Sequence, residues 1–294
     1  MNQSRVALGV LLLAAVLAGL AWQFWPQPAP PAPAPAPTPM PVARPAEPVA
    51  ATPLPPAPVE PVIQHPVQAI EVEPPKESRA LPALDASDPR LKEELGTWLG
   101  RKKVQQFLQI DAFVRRVVVT VDNLGREHAA PSMWPVQTTP GRFTTLKQGE
   151  RELISPDNAQ RYAALVQFIE VVDARLGVRL YVNLYPLFQQ AYEELGYPKA
   201  YFNDRLVAVI DKLLATPVIE QPLEVSLVDV KGPIPSERPW VRYEFADDEL
   251  QALAAGQKML LRTGPVNHRR LRAKLLEIRQ LLTRAALPAS AARK

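Results

Sequence analysis

The chain has 294 residues, a net charge of +4 and no cysteine, which excludes a disulfide framework, a thiolate nucleophile and cysteine-ligated zinc. Three histidines, His65, His128 and His268, are too few and too scattered for a multi-histidine metal centre. The 34 prolines are not dispersed: 21 of them fall between positions 26 and 89, and that tract divides the chain into parts of different physical character.

Residues 1–5 form a short basic start with Arg5. Residues 6–25 carry no charge and only one strongly polar side chain, Gln23. A helix rising ~1.5 Å per residue covers ~30 Å in that length, the hydrocarbon thickness of a bilayer. Trp22, Phe24 and Trp25 close the run where an interfacial aromatic belt sits. The small residues Gly19 and Ala21 leave a cleaved signal peptide as the rival reading, but the run is long for one, and an uncleaved transmembrane anchor is expected. Arg5 orients the N-terminus toward the cytoplasm, which places residues 26–294 on the outer side of the membrane, behind a single-pass anchor.

Residues 26–86 read as a disordered, proline-rich linker. Proline fixes φ and removes the amide donor, so Ala-Pro alternation favours polyproline II over helix or sheet. At ~3.1 Å per residue, some sixty residues reach on the order of 190 Å when extended. A PxxP match at Pro28–Pro31 is a chance product of such repetition.

The segment 87–287 reads as a mainly α-helical domain of about seven helices with a small β-hairpin, followed by a disordered tail, 288–294. Asp88-Pro89 looks like a cap and first-turn proline, with Leu91, Leu95 and Leu99 at helical spacing up to Gly100. A second helix is expected from Val104 through Val114 and Val118, ending near Gly125. Residues 126–154, rich in Pro and Gly, read as loop with at most a short strand. Ser155-Pro156 opens a helix that Gly177 is expected to stop. Residues 176–195 alternate like a strand over 178–184, yet their length and apolar stripe favour a helix bent or restarted at Pro186. The next helix ends before Pro217. Leu223, Val225 and Leu227, then residues 240–245, give the hairpin signal. Two final helices, about 247–263 and 265–287, are separated by Gly264-Pro265.

The string Tyr185-Pro-Leu-Phe-Gln-Gln-Ala-Tyr-Glu-Glu-Leu-Gly-Tyr-Pro198, followed by Tyr201-Phe-Asn-Asp-Arg-Leu206, resembles the bacterial domain of unknown function 3014 family. Thr120-Val-Asp-Asn-Leu124, Pro140-Gly-Arg-Phe143, Asn158 to Tyr162, Ile210-Asp-Lys-Leu-Leu214 and Gly256-Gln-Lys-Met-Leu-Leu-Arg262 extend the resemblance over roughly 90–285. It implies an envelope-associated domain behind an anchor and linker, and brings no catalytic role with it.

No GxGxxG, P-loop, GxSxG, HExxH or EF-hand pattern is present, so no cofactor or metal is expected. Two clusters stand out. Tyr185, Gln189, Gln190 and Tyr192, with Asn203, Asp204 and Arg205 on the following helix, form a candidate binding site: tyrosines flanked by amides suit a groove for a peptide or sugar polymer. The same region supplies the carboxylates Glu193, Glu194, Asp204 and Asp211, which a tethered cell-wall glycan hydrolase would need as acid and base. Glu193 and Glu194 are adjacent, however, and point ~100° apart on a helix. The second cluster is basic. From position 251 onward ten Lys/Arg face one acid, Glu277, and Arg269, Arg270, Arg272 and Arg279 form a candidate patch for an anionic partner. Nucleic acid is not expected, since no base-reading motif accompanies the charge.

The favoured reading is a membrane-anchored envelope protein that presents a non-catalytic interaction domain to an envelope protein or wall polymer. A freely acting enzyme needs no stiff tether of this length. The tethered hydrolase is the alternative.

Overall fold

The computed structural model describes residues 62–73, 80–228 and 238–283. The expected span 6–25 and most of the expected linker lie outside them, as does the tail 288–294. Among the described residues no helix is long and apolar enough to cross a membrane.

The domain is mainly helical. Helix α1 (Asp88–Leu95) buries Leu91 and Leu95, one turn apart, and runs into a π-helical turn, Gly96–Gly100. Gly100 has φ 87°, a conformation open to glycine, and lets the chain reverse into α2 (Arg101–Phe107). The single helix expected from Val104 to Gly125 is instead two. At Leu108 the chain leaves helical geometry to meet the loop 135–137: Gln109 N–H donates to Pro135 C=O at 2.8 Å, and Gln137 N–H to Phe107 C=O at 2.9 Å.

Helix α3 (Phe113–Leu124) then starts afresh, behind Ala112 in the left-handed region (φ 49°). Its cap comes from a distance. The Asp88 carboxylate accepts from Ala112 N–H (2.7 Å) and Phe113 N–H (3.0 Å). Asp88 therefore caps α3, while its own helix starts behind Ser87, which corrects the local-cap reading of Asp88-Pro89.

Helix α4 (Asn158–Val171) ends six residues before the expected stop. Asp173 accepts from Arg175 and Leu176 N–H at 2.8 and 3.2 Å and so caps the next helix. Gly177 thereby falls inside α5 (Ala174–Glu194), where its missing side chain admits the Trp98 ring. Helix α5 is continuous through Pro186, and residues 178–184 are helical; the chain turns out of it at Gly196 (φ 111°).

Helix α6 (Phe202–Leu214) follows. The stretch expected as one helix over 247–263 is two: α7 (Asp248–Gln251), capped by Asp247, and α8 (Ala255–Arg262). Gly264 (φ 84°) separates α8 from α9 (Pro265–Thr283).

Two antiparallel strand pairs sit to one side. β1 (Thr145–Gln148) pairs with β2 (Arg151–Ile154), and β3 (Val225–Leu227) with β4 (Tyr243–Phe245). The second pair is the expected hairpin; the first lies where a loop with at most one short strand was expected. A single bridge, Leu153 to Glu224, joins the two pairs. Val225, Phe245 and Leu261 form a small core beneath them.

The main core lies among α3, α5, α6 and α9. Val114, Val118 and Asp122 recur every fourth residue on the buried face of α3. Tyr181, Phe188, Tyr192 and Phe202 form a continuous aromatic cluster, with Phe188 and Phe202 stacked at 6.1 Å.

Two described stretches of the expected linker are part of this core. Val67 and Ile70, in and just after a 3-10 turn, are buried, as is Leu84. Apolar burial and backbone hydrogen bonding to the domain hold residues 62–73 in a defined conformation that composition alone did not suggest.

Candidate functional site

The candidate site forms where the end of the proline tract meets the start of α6. Tyr201 offers no side-chain cap to that helix. Its neighbour α5 supplies one: the Gln189 Oε1 accepts from Phe202 N–H at 2.9 Å, and its Nε2 donates to Ala200 C=O at 2.9 Å. The Tyr185 hydroxyl donates to the same Oε1 at 2.9 Å. Gln189 thus closes the α5–α6 corner from the inside.

Above that corner lies the chain's own segment 64–68. Asp204, in the first turn of α6, accepts from Gln64 N–H (3.0 Å) and His65 N–H (2.7 Å). The fully buried Asn203 donates through Nδ2 to His65 C=O (2.8 Å) and accepts from the Tyr181 hydroxyl (3.1 Å). The Tyr201 hydroxyl accepts from Val67 N–H at 2.9 Å. Three side chains of one helix start therefore read four backbone groups of the strap. The Asp204 charge also sits at the positive end of α6. Burial raises the pKa of both Tyr181 and Tyr185, so their hydroxyls remain neutral donors.

The other expected residues go elsewhere. Arg205 turns from the strap to Asp122: Nε lies 2.9 Å from Oδ1, and the guanidinium also donates to the Asp122 carbonyl at 2.8 Å. Arg126 meets the same carboxylate at 2.7 Å, and Asp122 is almost fully buried. Tyr192 stacks on Tyr197 at 4.6 Å within the core. Gln190 donates to Glu194 (3.0 Å), and Glu194 joins Arg115 (2.8 Å), which also holds Asp85 at 2.6 Å. Of the seven expected residues, then, Tyr185, Gln189, Asn203 and Asp204 converge, while Gln190, Tyr192 and Arg205 do not. Tyr181 and Tyr201, of the same tyrosine-rich stretch, join the converging four, and the strap itself was missed. The signal for the strap was available: Val62, Ile63, Val67 and Ile70 break the Ala-Pro alternation with large apolar side chains.

The four carboxylates put forward as acids share no pocket. Glu193 accepts from Gln189 (2.9 Å), Asp204 holds the strap, and Asp211 is held by Arg279. The Arg115 guanidinium, then Gln190, hold the Glu194 carboxyl below the usual carboxylate range. Glycoside hydrolysis asks for the reverse, an acid with a raised pKa beside a second free carboxylate.

The basic cluster is also engaged. Arg269 pairs with Glu220, Arg270 with Glu170, and Arg279 with Asp211, while Arg272 donates to the Leu214 carbonyl at 3.3 Å near the end of α6. The charge excess of α9 faces acids from the rest of the chain: Arg270 and Arg279 tie α9 to α4 and α6, and Arg269 reaches Glu220 in the loop after α6. Among the described residues no group of three or more His, Asp or Glu side chains is arranged to hold a metal ion.

Comparison with known proteins adds the family. No curated protein and no solved structure matches the chain. The profile of the family described as "Protein of unknown function (DUF3014)" matches residues 113–279, more than half of the chain, from the start of α3 to near the end of α9. The match contains α5, the α5–α6 corner and Asp204 but not the strap, and by its extent the chain belongs to this family.

Proposed function

We propose that the protein is a membrane-anchored component of the bacterial cell envelope whose helical domain is a non-catalytic interaction module, held away from the inner membrane on the periplasmic side. The observation that carries this reading is the state of the polar side chains at the α5–α6 corner. Asp204, Asn203, Tyr201 and Gln189 are committed to backbone groups, and Glu194 and Asp211 to arginines. Groups held this way orient chain segments; they do not transfer protons.

The anchored arrangement draws its support from the sequence: residues 6–25 as bilayer span, then the proline tract. The strap gives that arrangement a mechanical sense. Hydrogen bonding across α6 fixes the point on the domain surface from which the tether departs. The preferred partner is an envelope protein. A wall polymer bound through the α9 arginines would have to displace Glu170, Asp211 and Glu220 first.

In-cell crosslinking followed by affinity purification of the full chain tests the reading. Recovery of a defined envelope complex is the expected result. Recovery of no partner, together with release of glycan fragments from purified cell wall by the isolated protein, would reverse it in favour of the tethered hydrolase.

A further inference from the structure

A cavity of about 390 Å³ lies within the main core, walled by α3, α4, α5, α6 and α9, with Tyr181 and Phe202 of the α5–α6 corner among its lining residues. Protein interiors are packed tightly enough that voids larger than a water are few, and a cavity of this volume lies within the range of small-molecule sites. Its wall is aliphatic and aromatic, with Leu165, Ile169, Leu180, Phe188 and Ile278 among the lining side chains, and its one charged lining residue is Lys274. The Lys274 ammonium donates to the Val172 carbonyl at 3.0 Å, at the end of α4, and to Glu277 at 2.8 Å. Lys274 itself is largely buried, whereas Glu277 is half exposed, so the carboxylate is the partner that solvent can draw away from the pair.

We infer that this cavity is a binding site for a single acyl chain bearing a carboxylate, with the hydrocarbon between α4, α5 and α9 and the headgroup on Lys274 in place of Glu277. Size, wall and charge each point to that class. At roughly 30 Å³ for a group the size of a water molecule, the volume holds on the order of a dozen chain carbons. A wall with so little polarity rewards methylene groups and offers nothing to a sugar or nucleotide, whose hydroxyls would be buried without partners. A cation at the rim selects the anionic head. The inference does not depend on the membrane placement or on any protein partner.

The test uses the full chain in phosphatidylcholine nanodiscs with a dodecanoate carrying a photoreactive diazirine at its far end, followed by mass spectrometry of labelled peptides. Saturable labelling of peptides from α4, α5 and α9 is expected, suppressed by excess dodecanoate and several-fold less by dodecanol. Ile169→Trp and Leu165→Trp, which fill the cavity, lower that labelling at least fivefold and leave labelling of residues 6–25 unchanged. Lys274→Met removes the preference for dodecanoate over dodecanol. Labelling confined to residues 6–25, or helix labelling that excess dodecanoate does not suppress, overturns the site without reference to any variant. A carboxylate preference that survives Lys274→Met overturns the headgroup assignment.

Discussion

At the scale of single residues, polar side chains in this domain act mostly as backbone anchors, and their removal has calculable consequences. Asp204→Ala deprives two strap amides of a charged acceptor. A loss of ~1–3 kcal/mol is expected, seen as faster amide exchange over residues 64–70 while the α3 amides keep their protection; unchanged exchange in the strap would contradict the assignment. Asp122 is the opposite case, a nearly buried anion between Arg205 and Arg126. Asp122→Ala strands Arg205, which is itself less than one-third exposed, and should cost ~3 kcal/mol in chemical denaturation. His268 is buried, and its pKa is lowered from 6.5, first by that burial and then by Arg272 and Arg269. The unfolded chain therefore binds this proton at a higher pH than the folded one. Stability from this group is complete above pH 6.5 and declines as the pH falls below it, toward the depressed folded value. Thermal unfolding between pH 7.5 and 5 should show that slope, and His268→Gln should flatten it.

At the scale of elements, helix boundaries are decided by partners distant in sequence. Asp88 caps α3, twenty-four residues on, and Gln189 caps α6 from the preceding helix. Local rules place a cap immediately before its helix, so the spacing of Val104, Val114 and Val118 reads as one helix until Asp88 is seen at Ala112. Gly177 shows the same failure. By itself it is a stop signal, but Asp173 starts α5 ahead of it, and the glycine lets Trp98 approach closely, since a Cβ there would lie 3.3 Å from its ring. The closest approach of this kind is at Gly256 in α8, where a Cβ would lie 2.6 Å from a Leu213 methyl and 3.0 Å from the Leu124 carbonyl oxygen. Helix propensity favours alanine there by ~1 kcal/mol, yet overpacking against α3 and α6 costs more. Gly256→Ala should lower stability by ~1–2 kcal/mol, and a rise in melting temperature would refute the packing argument.

At the scale of the whole molecule, the proposed anchor and tether make one prediction about placement. The intact protein should stay with membranes after carbonate washing, and a reporter fused behind Lys294 should be active in the periplasm; soluble release or a cytoplasmic reporter would remove the basis of the proposed role. What the sequence determined by itself were the features that depend on composition and on local periodicity. The mainly helical class follows from apolar spacing, the β3–β4 pair from alternation at Leu223, Val225 and Leu227, and the family from the long string around Tyr185. Each of these is written in neighbouring residues. Tertiary structure alone decided which side chains meet. Gln189 and Asn203 read equally well as groove-lining amides or as structural caps, because an amide donates and accepts in either role. Only the fold brings Asn203, Asp204 and Tyr201 beneath residues 64–67, and only the fold sets Glu170, Asp211 and Glu220 against the arginines of α9. A charge pattern along one helix carries no record of the acids that other helices will place beside it.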